Sequence, residues 1–207
     1  MTGCFTKEEL NSLEEEVKKR LSAYRFNHTL GVARAAERLG SFIMPDRCSE
    51  LIAAALLHDI AKELDEESTD LLLNESGFTL SEEDLRIKPA LHSISGAALI
   101  KRDFPLFATP SVISAVYNHT VGSPDMDLFS EIIFIADYIE EGRTYFYSKV
   151  VADFIFKSFE SKAIGKNKIL HKAAHMILSH TIASLNQNSR PVHSRAYLTK
   201  SRFASLI

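Results

Sequence analysis

Four histidines and two aspartates stand where the surrounding sequence calls for apolar side chains. Between residues 51 and 62 the one-face series is Leu51, Ala54, Ala55, His58 and Lys62, so His58 points with the apolar side and Asp59 sits beside it. An earlier series, Leu21, Tyr24, His28, Val32, Ala35 and Leu39, puts His28 in the same kind of place. Val112, Ala115, Val116 and His119 form a third, and Asp137 is embedded in the apolar run from Ile132 to Ile139. His92 follows Pro89 at a predicted helix start, and Ser95 and Gly96 on its face leave room either for a ligand or for close helix packing.

Each residue alone has a structural explanation: a core imidazole can be hydrogen-bonded, and a carboxylate can pair with an arginine. An unpaired buried charge, however, costs several kcal/mol. Four helices each tolerating that cost are better explained by one shared cation. A divalent metal accepts neutral imidazoles and ionised carboxylates and turns both into bonds.

The elements that position these residues read as helices. Helical rhythm covers residues 7–22, 25–40, 49–64, 90–103, 110–119, 127–142, 144–164 and 167–187, with glycine and proline mainly between them. Ser81 followed by Glu82, Glu83 and Asp84 reads as a helix start, and Asp125 and Asp127 supply acids to open the next helix. No paired strands, repeats or Gly/Ser linkers are visible. The expectation is an all-α single domain: an N-terminal helical extension over 1–18, a domain over 19–186 and a basic, mobile tail over 187–207.

The chain has 207 residues, 45% of them hydrophobic, which excludes wholesale disorder. Apolar runs are too short for a membrane span, the first residues carry no secretory signal pattern, and Cys4 and Cys48 have no metal or disulfide spacing. A reducing cytoplasm is the expected setting. The net charge of −3 averages two unlike parts, since all 27 acidic residues lie at or before Glu160, and residues 161–207 carry 8 Lys and Arg with no acid. That basic part is a solvated face or a hint of an anionic partner.

The order His28, His58-Asp59, Asp137 resembles the HD-domain superfamily of metal-dependent phosphohydrolases. Longer strings sharpen the likeness: Arg25-Phe-Asn-His-Thr-Leu-Gly-Val-Ala33, Leu56-Leu-His-Asp-Ile-Ala-Lys62, Leu91-His-Ser, Asn118-His-Thr-Val-Gly-Ser-Pro-Asp-Met126 and Ile135-Ala-Asp-Tyr-Ile-Glu-Glu-Gly-Arg143. Together they look like the YqeK-type branch, bacterial symmetrical diadenosine tetraphosphate hydrolases, over residues 19–186. The resemblance implies an all-helical HD fold binding one or two divalent transition-metal ions. Iron is the expected metal, while imidazole and carboxylate also suit manganese and zinc. It carries over His28, His58, Asp59 and Asp137 as core ligands, with His92 and His119 available for a second metal, for substrate phosphate or for acid–base work.

The implied substrate is a dinucleoside tetraphosphate cut symmetrically to two nucleoside diphosphates. Lys62, four residues after His58, Arg25, three before His28, and Arg143, six after Asp137, are then phosphate contacts, or else salt bridges to nearby acids. Asp59, Lys62, His92 and His119 are the expected catalytic set, and Thr120, Thr181 and Asn186 are further nucleotide contacts. His171 and His175 lack the glutamate of a zinc-protease motif and read as surface residues. Tyr145-Phe-Tyr147 and Phe154-Ile-Phe156 read as core aromatics rather than base-stacking surface. Nucleotide is the expected partner, with no membrane or nucleic acid; a homodimer comes with the resemblance. Two other readings stay open: another HD phosphohydrolase or phosphodiesterase acting on mononucleotides or cyclic nucleotides, and a non-catalytic nucleotide-sensing module.

Overall fold

The computed structural model describes residues 5–207; Cys4 lies outside them, and Cys48 is a free thiol. The described residues form eleven α-helices and no strand. In chain order these are α1 (Lys7–Arg20), α2 (Ala23–Ile43), α3 (Cys48–Leu57), α4 (Glu66–Glu75), α5 (Glu82–Arg86), α6 (Leu91–Asp103), α7 (Pro110–Asn118), α8 (Leu128–Ile139), α9 (Phe146–Ser161), α10 (Lys166–Gln187) and α11 (Ser194–Ala204). None is long and apolar enough to cross a membrane.

Short polar side chains open most of these helices by accepting an otherwise orphaned backbone N–H. Thr6 and Ser81 do so within reciprocal capping boxes with Glu9 and Asp84, and Ser22, Asp65, Thr109 and Asp127 cap α2, α4, α7 and α8. The helix start expected at Ser81 and the acidic opening at Asp127 are thus present.

The core is organised around α8, which packs against α2, α3, α7, α9 and α10. Ile132, Ile133, Ile135 and Ala136 are fully buried there, as are Leu51, Ala53, Ala54 and Ala55 of α3. The alanines let α2 and α3 approach closely. Gly40 of α2 is part of this contact, because a Cβ there would lie 2.5 Å from Leu51.

Two expectations are corrected. The helix expected over 49–64 stops at Leu57, and residues 58–63 run as successive turns closed by Ile60 N–H to Leu57 O and Lys62 N–H to Asp59 O. The apolar series continued past the break because turn residues Ile60 and Ala61 are buried as well. Residues 194–204, expected in a tail of weak periodicity, form a helix packed on α10. Ala196, Thr199 and Phe203, at three- and four-residue spacing, are its buried stripe. Its start is tied to α5, where His193 Nε2 lies 3.1 Å from Asp84, and Ser194 N–H donates to Glu83 at 3.0 Å.

Candidate metal centre and cleft

Three histidines are set by one local device. His58 at the end of α3, His92 in the first turn of α6 and His119 at the end of α7 each turn Nδ1 onto the carbonyl three residues earlier, Ala55 at 2.7 Å, Pro89 at 2.9 Å and Val116 at 2.7 Å. A carbonyl only accepts, so the ring proton sits on Nδ1 and Nε2 keeps its lone pair. His28, in the middle of α2, reaches the same tautomer through a distant partner. Its Nδ1 donates to Glu140 Oε1 at 3.1 Å, and the other oxygen of that buried carboxylate accepts the Gly142 N–H at 2.6 Å.

The four Nε2 atoms converge on Asp59, which is buried in the turn after α3. Asp59 Oδ2 lies 3.5 Å from His58 Nε2 and 3.8 Å from His28 Nε2, while Oδ1 lies 3.2 Å from His92 Nε2 and 3.5 Å from His119 Nε2. Asp137, in the last turn of α8, places Oδ1 3.1 Å from His28 Nε2 and 4.0 Å from His58 Nε2. The ligand-type atoms of His28, His58 and Asp137 all lie within 4.8 Å of one another, and those of His58, Asp59 and His119 do likewise.

The donor set fits a divalent cation. His28 Nε2 and His58 Nε2 are buried without a hydrogen-bond partner. His92 Nε2 and His119 Nε2 face each other at 3.1 Å, an arrangement of lone pairs that calls for positive charge between them. Burial pushes the His92 ring down to about 4, so a proton is a poor source of that charge. Burial also opposes charge on His58, yet the Asp59 and Asp137 carboxylates outweigh it and raise that ring. Burial would likewise raise both aspartates, but the surrounding imidazoles, and Arg143 beside Asp137, hold them well below the usual carboxylate range. Ionised carboxylates and unprotonated Nε2 atoms are the states in which these side chains bind metal.

Three cations border the cluster. Arg25 contacts Asp59 Oδ2 at 2.7 Å, Arg143 contacts Asp137 Oδ1 at 2.6 Å, and Lys62 Nζ lies 3.0 Å from His92 Nε2. Lys62 reaches the site from the turn rather than from the helix face expected for it. Burial lowers its pKa, an effect that Asp59 and Asp137 oppose. A cavity of about 880 Å³ opens over Asp59, Lys62, His92, His119 and Asp137, with Phe134, Ile177, Leu178 and Ile182 among its apolar walls. A second, of about 640 Å³, lies along α2 beside His28 and Glu140, and Arg25 and Arg143 line both.

Of the expected nucleotide contacts, Thr120 and Thr181 line the larger cavity, and the Thr120 hydroxyl lies 3.1 Å from His92 Nε2. Asn186 does not line either cavity; it is exposed, with Nδ2 3.4 Å from the Tyr197 hydroxyl. Tyr145 and Phe146, expected in the core, are 63% and 81% exposed because they stand at the start of α9, before its buried stripe begins. Tyr24 is also out in solvent, at 78%. His171 is half-buried rather than on the surface, 2.9 Å from Glu131 and stacked on Phe203, while His175 is also half-buried.

Sequence reasoning missed Glu140 as the partner of His28. The available signal was its spacing, since Asp137, Glu140 and Arg143 recur every third residue at the end of α8.

An all-helical fold that gathers imidazoles and carboxylates beside a cationic cleft defines a metal-binding hydrolase of the HD class. The HD domain family model matches residues 25–142, and the chain belongs to that family. A Bacillus subtilis protein named symmetrical bis(5'-nucleosyl)-tetraphosphatase is 29% identical over 185 residues, 88% of this chain and 91% of its own length. A Halalkalibacterium halodurans protein of the same name is 34% identical over 131 residues, 62% of this chain and 67% of its own. Among solved structures, a Clostridium acetobutylicum protein described as a predicted HD superfamily hydrolase involved in NAD metabolism superposes with a TM-score of 0.80. It is 28% identical, over 94% of this chain and 96% of that one.

Proposed function

We propose that this protein hydrolyses dinucleoside tetraphosphates symmetrically, releasing two nucleoside diphosphates, with diadenosine tetraphosphate as the reference substrate. The observation that carries the reading is the convergence of four Nδ1-anchored imidazoles and two carboxylates beneath Arg25, Lys62 and Arg143 at the meeting of two ligand-sized cavities. His28, His58, Asp59 and Asp137 would hold the first metal. His92, His119 and the second oxygen of Asp59 would hold another, since the two Asp59 oxygens face different histidine pairs. When bound, a divalent metal supplies Lewis acidity toward phosphate oxygens and lowers the pKa of water from about 15.7 towards neutrality. Iron is our choice on the family resemblance; the imidazole and carboxylate donors accommodate it, as they do manganese and zinc.

The chain's own contribution is charge and position. A tetraphosphate bridge brings several negative charges into a site with two ionised aspartates, so binding requires local cations. Arg25 and Arg143 present guanidiniums at the seam, where each can bond phosphate oxygens bidentately. Lys62 adds an ammonium one residue-pair away, beside His92. The leaving nucleoside diphosphate carries a phosphate whose second pKa is about 6. It therefore departs as a stable anion, and neutralising it matters more than protonating it. Half-buried Thr120 and buried His119 line the larger cavity beside His92, with the Thr120 hydroxyl 3.2 Å from His119 Nε2.

The deciding experiment is a nucleotide panel with product analysis on protein of measured metal content. ADP as sole nucleotide product from diadenosine tetraphosphate is expected. AMP with ATP, or turnover confined to mononucleotides or cyclic nucleotides, overturns the reading. A cytoplasmic setting, a homodimer and the absence of a nucleic-acid partner complete the proposal, the last because the acidic part of the chain carries the cleft's metal donors.

A further inference from the structure

Resting on that reading, we propose that the two arms of the cleft hold the two halves of one substrate. One nucleoside diphosphate lies in the larger cavity, and the other lies along α2 between Tyr24 and Tyr145. A symmetric cut puts the reacting phosphorus at the middle of the ligand, so equal arms must leave in two directions. The donor cluster has that placement. His28 lines the smaller cavity, Asp59 and Asp137 line the larger, and Arg25 and Arg143 line both. At about 640 and 880 Å³ each cavity is of the size, roughly 300–1,000 Å³, that encloses one small ligand.

The smaller arm carries recognition chemistry that the fold uses only in part, the Arg25 guanidinium lying 5.8 Å from the centre of the Tyr24 ring. Tyr24 comes from the start of α2 and Tyr145 from the turn before α9, and both leave most of their ring in solvent. Arg34, ten residues further along α2, lines the same cavity, and its side chain makes no ion pair or hydrogen bond with any described residue. Two exposed rings and a free guanidinium beside a cationic seam suit a base that stacks and a ribose or phosphate that accepts. The larger arm offers mainly apolar walls, Ile177, Leu178 and Ile182 together with Phe134 and Tyr138, so the two chemically identical halves of the substrate meet different surfaces. One half binds tightly by burial, and the other binds more loosely by stacking.

The test compares diadenosine tetraphosphate with adenosine 5'-tetraphosphate, which lacks the second nucleoside, on metal-loaded wild type and on Tyr24→Ala/Tyr145→Ala. The double variant is expected to lose about tenfold in kcat/KM on the dinucleotide. It should change less than threefold on the one-armed nucleotide. Tyr24→Phe/Tyr145→Phe, which keeps both rings, should restore the dinucleotide rate. Calorimetric titration should count two ADP per wild-type chain and one per alanine variant. Equal losses on both substrates, no loss on either, or a single ADP on the wild type overturns the second subsite while the hydrolase reading stands. A wild type that leaves diadenosine tetraphosphate intact overturns the hydrolase reading itself.

Discussion

Glu140→Gln isolates the one metal-site support that comes from far away in sequence. The Glu140 carboxylate is 4% exposed and accepts two hydrogen bonds, from His28 Nδ1 at 3.1 Å and from Gly142 N at 2.6 Å. Glutamine has the same shape but only one acceptor oxygen. Whichever way the amide turns, one N–H donor meets another, a loss of about 1–3 kcal/mol. The His28 ring also loses the negative charge behind it, and such support is worth about 10–100-fold in metal affinity, or about 1.4–2.7 kcal/mol. The assay is a chelator competition for the bound metal, paired with unfolding at fixed free metal. At a free metal concentration of 1,000 times the wild-type Kd, metal stabilises the fold by about 4.1 kcal/mol. A 100-fold weaker variant gains only about 1.4 kcal/mol under the same conditions. A Kd within threefold of wild type, with the full metal-dependent stabilisation retained, would refute the reasoning and reduce Glu140 to a brace at the end of α8.

The remaining predictions address the donors, the cations, a buried acid and the C-terminal helix. Asp137→Ala should lose both bound metal and turnover, and metal analysis showing full occupancy would remove Asp137 from the centre. Lys62→Ala should keep its metal and raise KM about tenfold, the worth of one charge-assisted hydrogen bond; unchanged KM would leave Lys62 as a partner of His92 only. Burial pushes Glu131 up to about 8, so the folded state binds a proton there that the unfolded state releases near 4.5. Its contribution to stability is therefore full below about pH 4.5 and is lost as pH rises to about 8, by at most about 4–5 kcal/mol. Glu131→Gln should flatten that decline in denaturant titrations across the range, and parallel curves would contradict the assignment. Gly122 has φ of +80°, and a Cβ there would sit 3.0 Å from Thr199 of α11. Gly122→Ala should cost about 1–3 kcal/mol and loosen α11, read by hydrogen exchange.

The donors were legible because chemistry interrupts pattern. His28, His58, His119 and Asp137 each break an apolar helical series, and a helix face can be read from spacing alone. Arg25 was legible through the same helical spacing; Lys62 and Arg143 stand beyond the ends of α3 and α8, and nearness in sequence to the donors, not a helix face, brings them to the cluster. The end of α3 at Leu57 was not legible, because buried Ile60 and Ala61 continue the apolar count through a turn. Tyr145 and Phe146 were misread for the opposite reason: large apolar rings are assigned to a core by default, and only packing reveals which are left outside.

By itself the sequence determined the helical class and singled out the six candidate donors and the cations near them, since these depend on residue type and on contacts within a few positions. Only the tertiary structure decided which nitrogen of His28 is free, because its proton is placed by Glu140, 112 residues away. It alone showed that the two oxygens of Asp59 face different histidine pairs, and that the cleft divides into two arms at Arg25 and Arg143. Spacing along a helix reports a face, whereas tautomer, bridging and enclosure arise where faces of different helices meet.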